Sequence, residues 1–173
     1  MEIEPLREMI SSAFPAEPMP SMTLRQATLA DESLSREITD EEWEAEGRKD
    51  RQVPWRELPK SILIECEVGL PHLDEDSFGY YLPAFLMYSL TELDKTSFER
   101  SDLFGTVLFA VTDSSNYNVA RLKKLTSRQI DAVVEFLKLV REQGGFDGNE
   151  AKQALEGYWE TPYARTGSVL ILP

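Results

Sequence analysis

The hydrophobic positions of this chain fall mostly at three- and four-residue steps, the spacing that lines one face of a helix. Ile3, Leu6, Met9, Ile10 and Ala13 predict a short first helix ending near Phe14-Pro15, because a proline disfavours helical backbone in the residue before it. A proline-marked loop from Pro15 to Pro20 follows. Leu24, Leu29, Leu34, Ile38 and Trp43 then recur at about five residues, matching neither helix nor strand, so an acidic, irregular segment is expected over about 15–50. Within it, Thr39-Asp40-Glu41-Glu42 supplies a cap and an acidic first turn for a helix near Thr39 to Arg48.

Trp55, Leu58, Ile62 and Cys66 predict a helix from Pro54 to about Glu67, with the proline tolerated at its start. The β-branched, alternating residues of Ser61 to Val68 keep a strand open as the alternative. After the break at Gly69 and Pro71, Asp74 can cap a helix from Glu75 to about Leu93 whose apolar positions include Phe78, Tyr81, Leu82, Phe85, Leu86 and Leu90. Pro83 has to kink or split it, since it lacks a backbone donor and its ring crowds the preceding turn.

Helix and buried strand compete over Asp102 to Val111. The clearest local signal follows: Thr126 as N-cap, Gln129 as its reciprocal partner, and Leu125 with Ile130 as a hydrophobic staple. Ile130, Val133, Val134, Leu137 and Val140 form the buried stripe of that helix, and Gly144-Gly145 end it. A last helix over about Asn149 to Glu160 presents Ala151, Leu155, Tyr158 and Trp159, and the tail Val169 to Leu172 reads as an edge strand or an extended segment. The prediction is a mainly α-helical, single-domain, multi-helix bundle spanning 1–173, with any small β element confined to residues 61–68 or the C-terminal tail.

Length supports one domain, since 173 residues can bury one sizeable core and rarely make two. The 18 basic and 31 acidic residues give a net charge of −13, which disfavours direct binding to phosphate backbones or anionic lipid surfaces. Cys66 is the single cysteine, so no internal disulfide can form. The start of the chain lacks a basic leader followed by an apolar run, and the longest apolar stretch, Tyr80 to Tyr88, is half of what a membrane helix needs. A cytoplasmic location is expected.

Candidate chemistry is thin. His72 is the single histidine, so any Ser-His-Asp or Cys-His arrangement must use it, and its place in a turn before a helix favours a surface or capping role. Cys66 on an apolar helix face reads as a small buried hydrophobe. Asp74, Glu75 and Asp76 open like a calcium loop, but Phe78 and Phe85 stand where ligands are required; Asp147-Gly148-Asn149-Glu150 begins the same way without completing one. No cofactor or metal is expected.

Charge placement is more distinctive. From Asp31 to Asp50 there are nine acids and three bases, whereas Arg121 to Glu142 carries six bases and three acids. An acidic face at Glu41, Glu42, Glu44 and Glu46, with Trp43 as aromatic anchor, is the expected docking site for a partner protein with a basic surface.

Three stretches carry a family resemblance: Val53-Pro54-Trp55-Arg56-Glu57-Leu58; Asp76 to Phe85 with its Tyr80-Tyr81-Leu82-Pro83-Ala84 run; and Ala154-Leu155-Glu156-Gly157-Tyr158-Trp159. From about Ile10 to Trp159 the chain resembles a bacterial family of domains of unknown function. The resemblance implies a small helical bacterial domain and no site residues. The residues themselves read as structural, with Trp55, Phe78, Tyr81, Phe85 and Trp159 as the expected core. The functional expectation is a non-catalytic protein-binding domain, an adaptor or regulator. The alternatives are an immunity protein neutralising a cytoplasm-acting toxin such as a nuclease, and a carboxylate-based enzyme.

Overall fold

Caps and prolines set the element boundaries in the computed structural model, which describes residues 2–50, 53–96, 98–162 and 164. Helix α1, Ile3–Ala13, stops where Phe14 turns to extended backbone ahead of Pro15. Helix α2, Leu24–Glu32, opens on a reciprocal cap in which the Thr23 hydroxyl accepts from the Gln26 N–H and the Gln26 amide oxygen accepts from the Thr23 N–H. Helix α3, Asp40–Asp50, uses the same device between Thr39 and Glu42. Within 15–50 the proline-marked loop and the helix near Thr39 to Arg48 are as expected, whereas α2 takes the place of part of the irregular stretch the sequence suggested. Its five-residue spacing crosses two short helices and the turn between them, which holds Leu34 and Ile38, so no single period could emerge.

The helix expected over 54–67 is broken. Trp55–Glu57 forms one 3₁₀ turn, Leu58 is extended ahead of Pro59, and helix α4 runs only over Lys60–Glu65. A 3₁₀ segment, Glu67–His72, completes the connection, so 61–68 is helical rather than a strand. Helix α5, Glu75–Ser89, is capped by the Asp74 carboxylate, which accepts from the Ser77 N–H at 2.7 Å. It passes through Pro83 without splitting.

Helices α6, Asp102–Thr112, and α7, Asn116–Leu122, precede α8, Ser127–Gln143. Thr126 and Gln129 form the expected reciprocal cap of α8, and Gly144 at φ 70° ends it. Helix α9, Gly145–Ala154, runs into a single π turn at Leu155–Trp159. No strand forms among the described residues, and the tail 169–172 lies outside them.

Eleven of the 15 residues of α5 are buried, so this helix is apolar on every side and sits at the centre of the bundle. It packs against α1, α4, α6, α7 and both 3₁₀ segments, a surround that holds it together at Pro83. Helix α8 packs on α1 and α9, and the Glu67–His72 segment lies between α2 and α6. Trp55, Phe78, Tyr81, Phe85 and Trp159 are all buried in this one core, together with Phe14, Phe104 and Phe136.

Aromatic side chains also tie distant segments through their polar ends. Trp55 Nε1 donates to the Pro15 carbonyl at 3.1 Å and the Tyr80 hydroxyl to the Ala16 carbonyl at 3.0 Å, fixing the proline-marked loop over α5. Trp159 Nε1 donates to the Val111 carbonyl at 2.7 Å, joining the π turn to the end of α6. Arg121, buried in α7, donates to the Leu70 and Pro71 carbonyls, both at 3.0 Å, and so anchors the second 3₁₀ segment.

Candidate binding surfaces

Helix α3 has two sides. Trp43, Glu46, Gly47 and Asp50, at three- and four-residue steps, face the body of the protein, while Asp40, Glu41, Glu44 and Arg48 face outward. The five residues expected to form one docking face are therefore divided. Glu41 and Glu44 are exposed. Glu42 closes the helix cap and takes Arg36 Nη1 at 3.0 Å, which holds its carboxyl below the usual range through the Thr39 and Arg36 bonds. Glu46 pairs with Lys49 and lies 4.0 Å from Arg25. Trp43 is half-buried, and its backbone carbonyl receives Gln26 Nε2 at 3.1 Å.

The inward side rests on Arg25 of α2. Its guanidinium meets Glu65 in a fork, Nη1 to Oε1 at 2.6 Å and Nη2 to Oε2 at 3.1 Å, and its Nε lies 3.2 Å from Asp50. The Arg25 backbone N–H also reaches Asp50 at 3.0 Å. Hydrogen bonding to Glu65 raises the Arg25 pKa and lowers that of Glu65, whereas burial pushes Asp50 up against the pull of Arg25. One arginine thus binds three elements, α2, α3 and α4.

Cys66 lies beside this network, fully buried, and burial pushes its thiol up to about 11. It is the small hydrophobe its position implied. His72 is half-exposed with Nε2 3.0 Å from Asp31, a link between the second 3₁₀ segment and α2. Asp147 takes Arg100 Nη1 at 2.6 Å, and Glu150 accepts from the Thr112 hydroxyl at 2.6 Å. Both acids of the second loop-like run therefore serve as structural ties. Among the described residues no group of three or more His, Cys, Asp or Glu side chains is placed to hold a metal ion. Nor is any described helix long and apolar enough to cross a membrane.

A second surface was not visible in the sequence. Where the Trp55–Glu57 turn and α4 meet α5, they enclose a groove of about 360 Å³. Its floor is core: Trp55, Leu63, Ala84 and Tyr88 are buried. Half-buried Leu58 and Met87 stand at its mouth. Ser11, Thr91, Arg56 and Lys60 complete the lining, with the Arg56 guanidinium 5.0 Å from the Trp55 ring and the Lys60 ammonium 4.7 Å from the Tyr88 ring. Arg56 Nη2 also donates to the Ser11 and Phe14 carbonyls at 2.6 and 3.0 Å. Two of the three stretches that carried the family resemblance converge on this groove.

Neither the curated proteins nor the solved structures contain a match to the chain. Over residues 3–163, however, the sequence matches the model of the family of unknown function DUF6714, and the chain belongs to that family.

Proposed function

We propose that the chain is a non-catalytic protein-binding domain that presents the outward side of α3 to a basic surface of its partner in the cytoplasm. The observation that supports the reading is the division of α3. Arg25, Arg36 and Lys49 are engaged by Glu65, Asp50, Glu32, Glu42 and Glu46. Asp40 and Glu41 form no ion pair among the described residues and point outward beside Glu44. A helix carrying exposed acids on its outward side speeds and orients encounter with a cationic partner. A bacterial immunity protein covering the positive cleft of a nuclease is the specific form of this reading in which the partner acts on nucleic acid.

The test is a cross-linking capture from cells of the source organism, using the intact chain and an Asp40→Lys, Glu41→Lys, Glu44→Lys triple variant. All three sites are exposed, so folding is checked by circular dichroism and expected to be unchanged. Loss of one recovered protein in the variant, with wild-type recovery falling as salt rises, supports the reading. Equal recovery by both chains overturns it.

A further inference from the structure

The groove between the Trp55–Glu57 turn, α4 and α5 carries an inference beyond partner binding, and the signs of its charges are the starting point. The chain has 31 acids and 18 bases, yet among the described residues Arg56 and Lys60 are the charged side chains that line this hollow and no carboxylate does. Neither cation forms an ion pair among the described residues. Arg56 is turned to two backbone carbonyls, and Lys60 lies over the ring of Tyr88. The floor is apolar and continuous with the core. Shape and charge together select a ligand with an apolar body and an anionic end.

We propose that this groove binds a small free amphipathic carboxylate of the fatty-acid type. The tail lies on Trp55, Leu63 and Ala84 between Leu58 and Met87, and the carboxylate meets Lys60 and Arg56. The size suits a small free molecule, because a hollow of about 360 Å³ falls at the lower end of the range for small-ligand clefts. The overall charge of −13 does not prevent binding, because at physiological salt fields are screened beyond about 8 Å and the head group lies against the two cations. Methionine at the mouth suits tails of varying shape, since its side chain is flexible and polarisable.

The intact chain is titrated with decanoate, decanol and decyltrimethylammonium, which share a tail and differ in head charge. Binding is read by calorimetry and by the methyl resonances of Met87, Leu58 and Leu63. Decanoate is expected to bind and to shift these resonances, with decanol weaker and the ammonium compound weakest. Lys60→Gln, at an exposed position, is expected to weaken decanoate about tenfold and leave decanol unchanged. Met87→Trp, which fills the mouth, is expected to abolish binding of all three. Absence of decanoate binding, equal binding of the ammonium compound, or indifference to Lys60→Gln would each overturn the proposal. So would a concentration-dependent dimer that shifts the same resonances with no response to decanoate, since the occupant would then be a second copy of the chain.

Discussion

The guanidinium carbon of Arg121 lies 4.3 Å from the centre of the Phe78 ring, so the one cationic side chain of α7 is stacked on the aromatic core of α5. Burial lowers the pKa of Arg121, and Tyr117 and Asp113 oppose that pull. The side chain is held by the Leu70 and Pro71 carbonyls and by Asn118 Oδ1 at 2.5 Å. Arg121→Met keeps much of the stacking volume and strips the donors, leaving those acceptors without a partner. A loss of about 3 kcal/mol in urea unfolding is expected, with Arg121→Lys intermediate.

Glu92 is buried, and its carboxylate takes Lys95 Nζ at 2.8 Å, the Ser101 N–H at 2.9 Å and the Tyr88 hydroxyl at 3.4 Å. Burial works to raise its pKa, but the bonds from Lys95 and Ser101 outweigh it and hold the carboxyl below the usual range. A group depressed in the folded state stabilises fully above its unfolded pKa, and that contribution is lost as pH falls through the folded one. Glu92→Gln is therefore expected to cost about 2 kcal/mol at neutral pH. The gap between variant and wild type should narrow as pH drops below about 4, measured by thermal unfolding across pH.

The Glu67–His72 segment approaches α2 so closely that a Cβ on Gly69 would stand 2.9 Å from both the Leu24 carbonyl oxygen and the Thr28 nitrogen. Backbone cannot yield as a side-chain tip can. Gly69→Ala is expected to destabilise the protein by about 2 kcal/mol in urea unfolding.

Cys66 gives a readout of opening. With its thiol buried and its pKa near 11, alkylation by iodoacetamide at pH 8 is expected to be slow in the native protein and rapid in urea. Equal rates would place the thiol at the surface.

Helices with a conventional apolar stripe were legible in the chain, and α8 with its Thr126 cap is the clearest. Helix α2 was missed although Thr23 and Gln26 make the same pair as Thr126 and Gln129; its buried stripe includes Gln26, which hides the period. Helix α7 shows no apolar stripe in the sequence for a similar reason, since its buried residues include the polar Asn118 and Arg121. The break at Pro59 is a local signal that the spacing of Trp55, Leu58 and Ile62 masked. Charge counting located the acids of α3, but which of them point outward depends on where Arg25 and Arg36 reach, and that is set by packing. The groove exists only where 55–63 meets 84–91, and no local pattern announces it.

Tyr88 belongs to two neighbourhoods at once. Its ring forms a wall of the groove beneath Lys60, and its hydroxyl lies 3.1 Å from Ser101 Oγ at the start of α6. Glu92 accepts from the Ser101 N–H beside that hydroxyl, and Arg100 reaches on to Asp147 of α9. The ring is rigid, so a tilt at one end is a displacement at the other. One phenol therefore shares a single orientation between the groove and the first turn of α6.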